Sequence, residues 1–115
     1  MKTYKIKLIC LAIFCLFSTE IFAQSFVGIT VDGGGVDDMF IEIKDSGGHI
    51  VHAYCHKACG DWFFSDKEDI SRLKPIYKNR KVVVDVFSRV NKGEIAGPSD
   101  DEVLVFINKI NFVRE

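Results

Sequence analysis

The segment Ser65-Asp66-Lys67-Glu68-Asp69-Ile70-Ser71-Arg72-Leu73-Lys74-Pro75 lies between stretches in which apolar and polar residues alternate with a period of two. It breaks that alternation and carries the marks of a helix start. Ser65 and Glu68 stand at capping-box spacing, so each side chain can accept from a backbone N–H that a first helical turn leaves without a partner. Asp66, Glu68 and Asp69 place negative charge where a helix dipole favours it. Pro75 stops the run, because the residue before a proline is pushed out of the helical region. The pattern predicts a short helix of about two to three turns, with Ile70 and Leu73 buried.

The segments on either side read as strands. Phe26–Val31 is the first, with Gly28 marking a bulge or a close backbone approach. Asp32-Gly33-Gly34-Gly35 ends it, since successive glycines leave the chain too free to stay extended. Met39, Ile41 and Ile43 then alternate with Phe40, Glu42 and Lys44, and Asp45-Ser46-Gly47-Gly48 has turn chemistry. His49–Cys55 returns with Val51, Ala53 and Cys55 on one face. Beyond Pro75, Lys81–Val90 shows Val82, Val84, Val86 and Val90 on one side. Val103–Val113 shows Leu104, Phe106, Ile110 and Phe112 on one side, while Val103, Val105 and Ile107 make its first half apolar on both. Such two-faced apolarity suits a strand in a closed or strongly curled sheet.

Ahead of these strands, Met1–Ala23 has the layout of a secretory signal peptide. Lys2, Lys5 and Lys7 form a basic front, Leu8–Phe17 is unbroken apolar, and small Ala23 precedes the expected cut. The apolar run is well short of the roughly 20 residues that span a bilayer as a helix. The expected product is an exported chain, periplasmic or secreted, Gln24–Glu115, with no stable membrane insertion. Three lysines and one glutamate leave with the signal, taking the formal net charge from −1 to −3. Cys10 and Cys15 leave too, so Cys55 and Cys59 remain.

The order β-β-β-α-β-β resembles the OB-fold, a five-stranded Greek-key barrel with a helix between its third and fourth strands. The resemblance covers Phe26–Val113 and rests on element order, length and glycine placement, as in many small exported bacterial proteins; it carries no diagnostic motif. It implies one domain over residues 24–115, all-β with one helix, with Trp62, Phe63 and Phe64 plugging the barrel end beneath that helix. It also implies a ligand face flanked by the loops that join the first two and the last two strands. Here those loops are glycine-rich and acidic. Asp32, Gly33, Gly34, Gly35, Asp37 and Asp38 stand in one, and Asn91, Lys92, Gly97, Pro98 and Ser99 in the other. Their charge opposes a nucleic-acid ligand and suits a basic protein, a peptide or a cation.

His49–Cys59 holds all three histidines and both remaining cysteines. In an oxidising compartment Cys55 and Cys59 are expected to form a disulfide. Metal handling is the alternative: His52, Cys55, His56 and Cys59 are donors suited to zinc or Cu(I), although His52 and Cys55 face apart on a strand. A redox-active thiol is a third reading, without the thioredoxin-like frame such pairs use. No positioned nucleophile, base and oxyanion hole can be named. The expected function is therefore non-catalytic binding of a protein, peptide or small ligand.

Overall fold

The structure is a computed structural model that describes residues 22–114. Of the signal peptide expected over Met1–Ala23, residues 1–21 lie outside the described residues, and Phe22 and Ala23 open the first strand, paired with Ser88 and Phe87. Seven strands form one sheet: β1 (Phe22–Gly35), β2 (Phe40–Lys44), β3 (Ile50–Tyr54), β4 (Phe63–Ser65), β5 (Ser71–Leu73), β6 (Lys81–Val90) and β7 (Val103–Phe112). Five of them close into a barrel in the order β1-β2-β3-β7-β6, with β6 returning to β1. The neighbours pair antiparallel except β3 and β7, which run parallel and meet where Tyr54 pairs with Phe106. The remaining two strands form a hairpin whose β5 joins the far end of β1.

Closure depends on the length of β1. Its first part, through Ile29, pairs with β6, and its second part, from Ile29 to Gly34, pairs with β2. A bulge at Val31 turns the strand from one partner to the other. The core inside the ring is aliphatic: Ile41 and Ile43 from β2, Ala53 from β3, Val82, Val84 and Val86 from β6, and Ile107 and Ile110 from β7. These are the inward positions that the period of two selects on β2, β3 and β6.

The expected helix is absent. Phe63–Ser65 and Ser71–Leu73 are strands, and the only helical turn among the described residues is the 3-10 turn Pro75–Tyr77. Asp66 explains why. Its Oδ1 accepts from the N–H groups of Glu68 (2.9 Å) and Ile70 (3.1 Å), and its own N–H donates to the Ile70 carbonyl. Asp69 takes a positive φ of 60° to close the turn, a conformation Asp tolerates better than most residues. The Arg72 guanidinium then reaches the other Asp66 oxygen at 2.8 Å. Asp66 thus organises a hairpin turn with the acceptor groups that a capping box would have taken from Ser65 and Glu68.

The Arg72 bond, followed by the Glu68 and Ile70 amides, holds the Asp66 carboxyl below its ordinary value. A lowered folded-state pKa means that this support is present above the unfolded value, near 4, and is lost as pH falls through the lowered one. Protection of the Glu68 and Ile70 amides, measured by hydrogen exchange against intrinsic rates, is expected to fall below about pH 4 while that of Val84 persists. Unchanged protection at Ile70 would contradict the turn assignment.

Two further expectations are corrected. Gly33, Gly34 and Gly35 do not end the first strand; they are part of β1. Pairing with β2 and β5 holds them extended, and these neighbours leave no room for a side chain. A Cβ at Gly33 would lie 2.7 Å from the Phe40 carbonyl oxygen, and one at Gly34 would lie 2.6 Å from that of Ser71. In β7, the expected common face of Leu104, Phe106, Ile110 and Phe112 is split. Asp85 pairs with Lys109 while Val86 pairs with Ile107, so Asn108 is bulged and the alternation shifts by one. Ile107, Ile110 and Phe112 face the barrel core, and Leu104 and Phe106 face outward into a second, smaller cluster with Ile95, Tyr54 and Phe87.

The aromatic plug exists with different members. Trp62 stacks on Phe112 (centroids 4.5 Å apart) and on Tyr77 (5.1 Å), at the barrel end where β6 starts and β7 finishes. Phe63 packs against the core, but Phe64 is exposed. Thr30, fully buried, ties the Tyr77 turn to β1: its hydroxyl donates to the Tyr77 carbonyl and accepts from the Arg80 N–H.

Candidate functional site

Three inter-strand segments converge beside the end of β3: residues 36–39 after β1, residues 55–62 after β3, and residues 91–102 between β6 and β7. Between them lies a cleft of about 490 Å³. Asp37, Asp38 and Met39 line it from the first segment, Cys55–Lys57, Cys59 and Gly60 from the second, and Glu94 and Ile95 from the third. Tyr54, Phe63 and Ser71 complete the walls.

The second segment is set by its sulfurs. Cys55 and Cys59 are bridged, with their Cα atoms 5.4 Å apart, and both are buried in the barrel core. Between them His56 and Lys57 adopt positive φ values of 45° and 68°, a region costly for residues with a Cβ. The Ala58 N–H donates to the Cys55 carbonyl and closes the turn. Replacing both cysteines with serine is expected to lower stability by about 2 kcal/mol, the chain-entropy value for so short a loop. Urea denaturation of the double variant measures this; an unchanged midpoint would show that the bridge contributes nothing to the fold.

The third segment is built around Asn91, which is 1% exposed. Its Nδ2 donates to the carbonyls of Ile95 (2.9 Å) and Pro98 (3.2 Å), and its Oδ1 accepts from the Ile95 N–H (2.7 Å). Lys92, Gly93 and Gly97 take positive φ to let the chain wrap around that side chain. Ile95 thereby drops onto Leu104 and Phe106 and is itself buried. Next to it, Glu94 is held by Arg89, whose guanidinium lies over the Phe106 ring at 4.8 Å, and faces His56 Nδ1 at 3.8 Å. The latter two segments are therefore joined across the outer cluster of the barrel.

Charge on the cleft is uneven. Glu94 is engaged by Arg89 and His56, whereas none of the ion pairs among the described residues involves Asp37, Asp38 or Glu102. The Tyr54 phenol registers this field. Its pKa is raised, first by burial and then by the carboxylates of Glu102 and Asp38.

The structure distributes the residues singled out in the sequence unequally. Asp37, Asp38, Cys55, His56 and Cys59 come together at the cleft. Asp32 does not; it caps the Gly33 N–H, which lowers its pKa, and faces Lys78 Nζ at 3.3 Å. Gly33, Gly34 and Gly35 belong to β1, and Asn91 is a buried structural residue rather than a ligand contact. Lys92, Gly97, Pro98 and Ser99 shape the third segment without lining the cleft. His52 lies apart from the sulfurs, stacked on Phe40 with centroids 4.1 Å apart.

The four donors of the metal alternative are thus not gathered, and both sulfurs are in the bridge. No group of three metal-binding side chains occurs among the described residues. No described helix is long and apolar enough to cross a membrane. No family model matches the chain, and no curated protein and no solved structure is significantly similar to it.

Met39, Tyr54, Phe63, Glu94 and Ile95 line the cleft without having been singled out in the sequence as ligand contacts. Only Tyr54 has a usable signal, since alternation on β3 places it opposite the core-facing Ala53.

Proposed function

We propose that the protein is an exported, non-catalytic binding domain with an OB-like barrel, which takes a protein, peptide or small ligand in the cleft beside the end of β3. The observation that carries this reading is the cleft itself: a concavity of about 490 Å³ in which apolar and aromatic walls stand beside Asp37, Asp38, His56, Lys57, Ser71 and Glu94, of a size that ligand sites commonly take. The ring order β1-β2-β3-β7-β6 with its parallel β3–β7 seam supports the OB-like assignment. In that assignment the segments after β1 and after β6 are the two loops that flank the ligand face, and both border the cleft. The β4–β5 hairpin occupies the place of the helix. The bridge between Cys55 and Cys59 leaves neither sulfur as a free thiol and supports a binding role over a thiol-based reaction.

Export is tested by the intact mass of protein from its native host, with and without reduction. A chain beginning at Gln24, two mass units lighter than its reduced form, is the expected result. A chain retaining Met1–Ala23 would overturn it. Binding is tested by placing a photo-crosslinking residue at Asp37, and separately at Lys44 on the side of the barrel, in the native envelope. Adducts confined to the Asp37 position are expected. A protein that stays solitary at both positions yet turns over a substrate would sink the proposal.

A further inference from the structure

The walls of this cleft have a chemistry of their own. Tyr54 and Phe63 present aromatic surface and Met39 an apolar thioether, while Asp37 and Asp38 stand on the lip that follows β1. Polar groups other than these two acids also line the cleft. His56 faces Glu94, leaving Lys57 as the one lysine on the lining. Against it stand Asp37 and Asp38, with Glu102 close enough to act on Tyr54. The segment between β6 and β7 adds Asp100 and Asp101 against Lys92. The barrel end is therefore acidic around an aromatic floor, while Lys74, Lys78, Arg80 and Lys81 are gathered near the 3-10 turn.

We propose that the cleft takes an ammonium or guanidinium group carried on an apolar stem, as in a lysine or arginine side chain or a free alkylamine. The proposal rests on the binding role assigned above and specifies the ligand class. The stem lies along Met39 and Phe63, the cation meets the π-face of Tyr54, and the Asp37 and Asp38 carboxylates accept its N–H groups as charge-assisted hydrogen bonds. A carboxylate or phosphate ligand would meet the same acids unscreened and is disfavoured. Because the acids extend along both flanking segments, they also steer a basic ligand toward the mouth.

The test follows backbone amide resonances of the oxidised protein during titration. The probes are agmatine, a pentapeptide Ala-Lys-Ala-Arg-Ala, and two counterparts with glutamine or glutamate at the charged positions. Basic probes are expected to shift the amides of Asp37, Asp38 and Tyr54, and to bind more weakly as salt rises. The double variant Asp37→Asn/Asp38→Asn is expected to weaken them roughly tenfold with the Val84 amide unmoved, and Tyr54→Leu is expected to weaken them severalfold. Shifts with the pentapeptide alone assign the cation to a polypeptide; equal shifts with agmatine assign it to free amines. If the glutamine or glutamate peptide shifts the same amides as strongly, the cleft binds but the cation assignment falls. That assignment falls equally if the double variant binds basic probes unchanged. If no probe moves a cleft amide, the cation assignment falls, while the binding role is decided separately by crosslinking at Asp37.

Discussion

Phe106→Ala is expected to destabilise the protein by about 3–5 kcal/mol, the range for deleting a buried aromatic ring. Phe106 is fully buried although it points out of the barrel. Its ring is enclosed by Phe87 (5.5 Å between centroids), Tyr54 (6.1 Å), His56 (5.7 Å) and the Arg89 guanidinium (4.8 Å). Ile95 and Leu104 complete the cluster. Removing the ring leaves a cavity beneath the segment between β6 and β7, with little on the outer face that could collapse into it. The urea midpoint should fall with little change in slope. Hydrogen exchange should rise in residues 91–102 more than it does in Val84→Ala, which opens the inner core instead. A loss below about 1 kcal/mol, the range of ordinary surface changes, would contradict the outward cluster.

Asn91→Ala is expected to cost about 2–3 kcal/mol, because the Ile95 N–H and C=O lose their partner while Ile95 stays buried. The effect should concentrate in one place. Exchange of the Ile95 amide, which donates to Asn91 Oδ1, should accelerate sharply, and Glu94 should lose its station against His56 and Arg89. Asn91→Asp separates the two functions of the side chain. It keeps an acceptor for the Ile95 N–H but sets a buried carboxylate oxygen against the Ile95 and Pro98 carbonyls, so a loss at least as large as that of the alanine variant is expected at neutral pH. Equal stability of the alanine variant and the parent would show that the segment is ordered by something other than Asn91. Both variants bear on the cleft, since Glu94 and Ile95 form one of its walls.

These two residues also show how far sequence reading reaches. The sequence places Asn91 in a loop flanking a ligand face, yet its importance is structural. A buried amide serving several carbonyls cannot be distinguished from an exposed turn residue by type alone. Alternation puts Phe106 on the same face as Ile110, because it carries no warning of a bulge at Asn108. The helix expected over Ser65–Pro75 fails for a related reason. Capping boxes and Asp-centred turns draw on the same residue types, and only the presence of β1 beside Ser71 and Arg72 selects the strand. The disulfide is legible because a compartment and a lone pair of cysteines suffice to propose it.

What the sequence determined by itself is everything that depends on near neighbours. Period-two alternation defined the strands β2, β3 and β6 and their inward residues. Asp45-Ser46-Gly47-Gly48 defined a turn, in which the Asp45 carboxylate accepts from the Gly47 and His49 N–H groups. What only the tertiary structure decided is everything that depends on which strand lies alongside. Gly33 and Gly34 stay extended because they pair with Ile41 and Phe40 of β2 and, at Gly34, with Arg72 of β5, where the Phe40 and Ser71 carbonyls leave no room for a side chain. Leu104 and Phe106 turn outward because β6 and β7 differ by one residue at Asn108. The cleft is assembled from three segments distant in sequence, because closing β1 against both β2 and β6 brings their strand ends together.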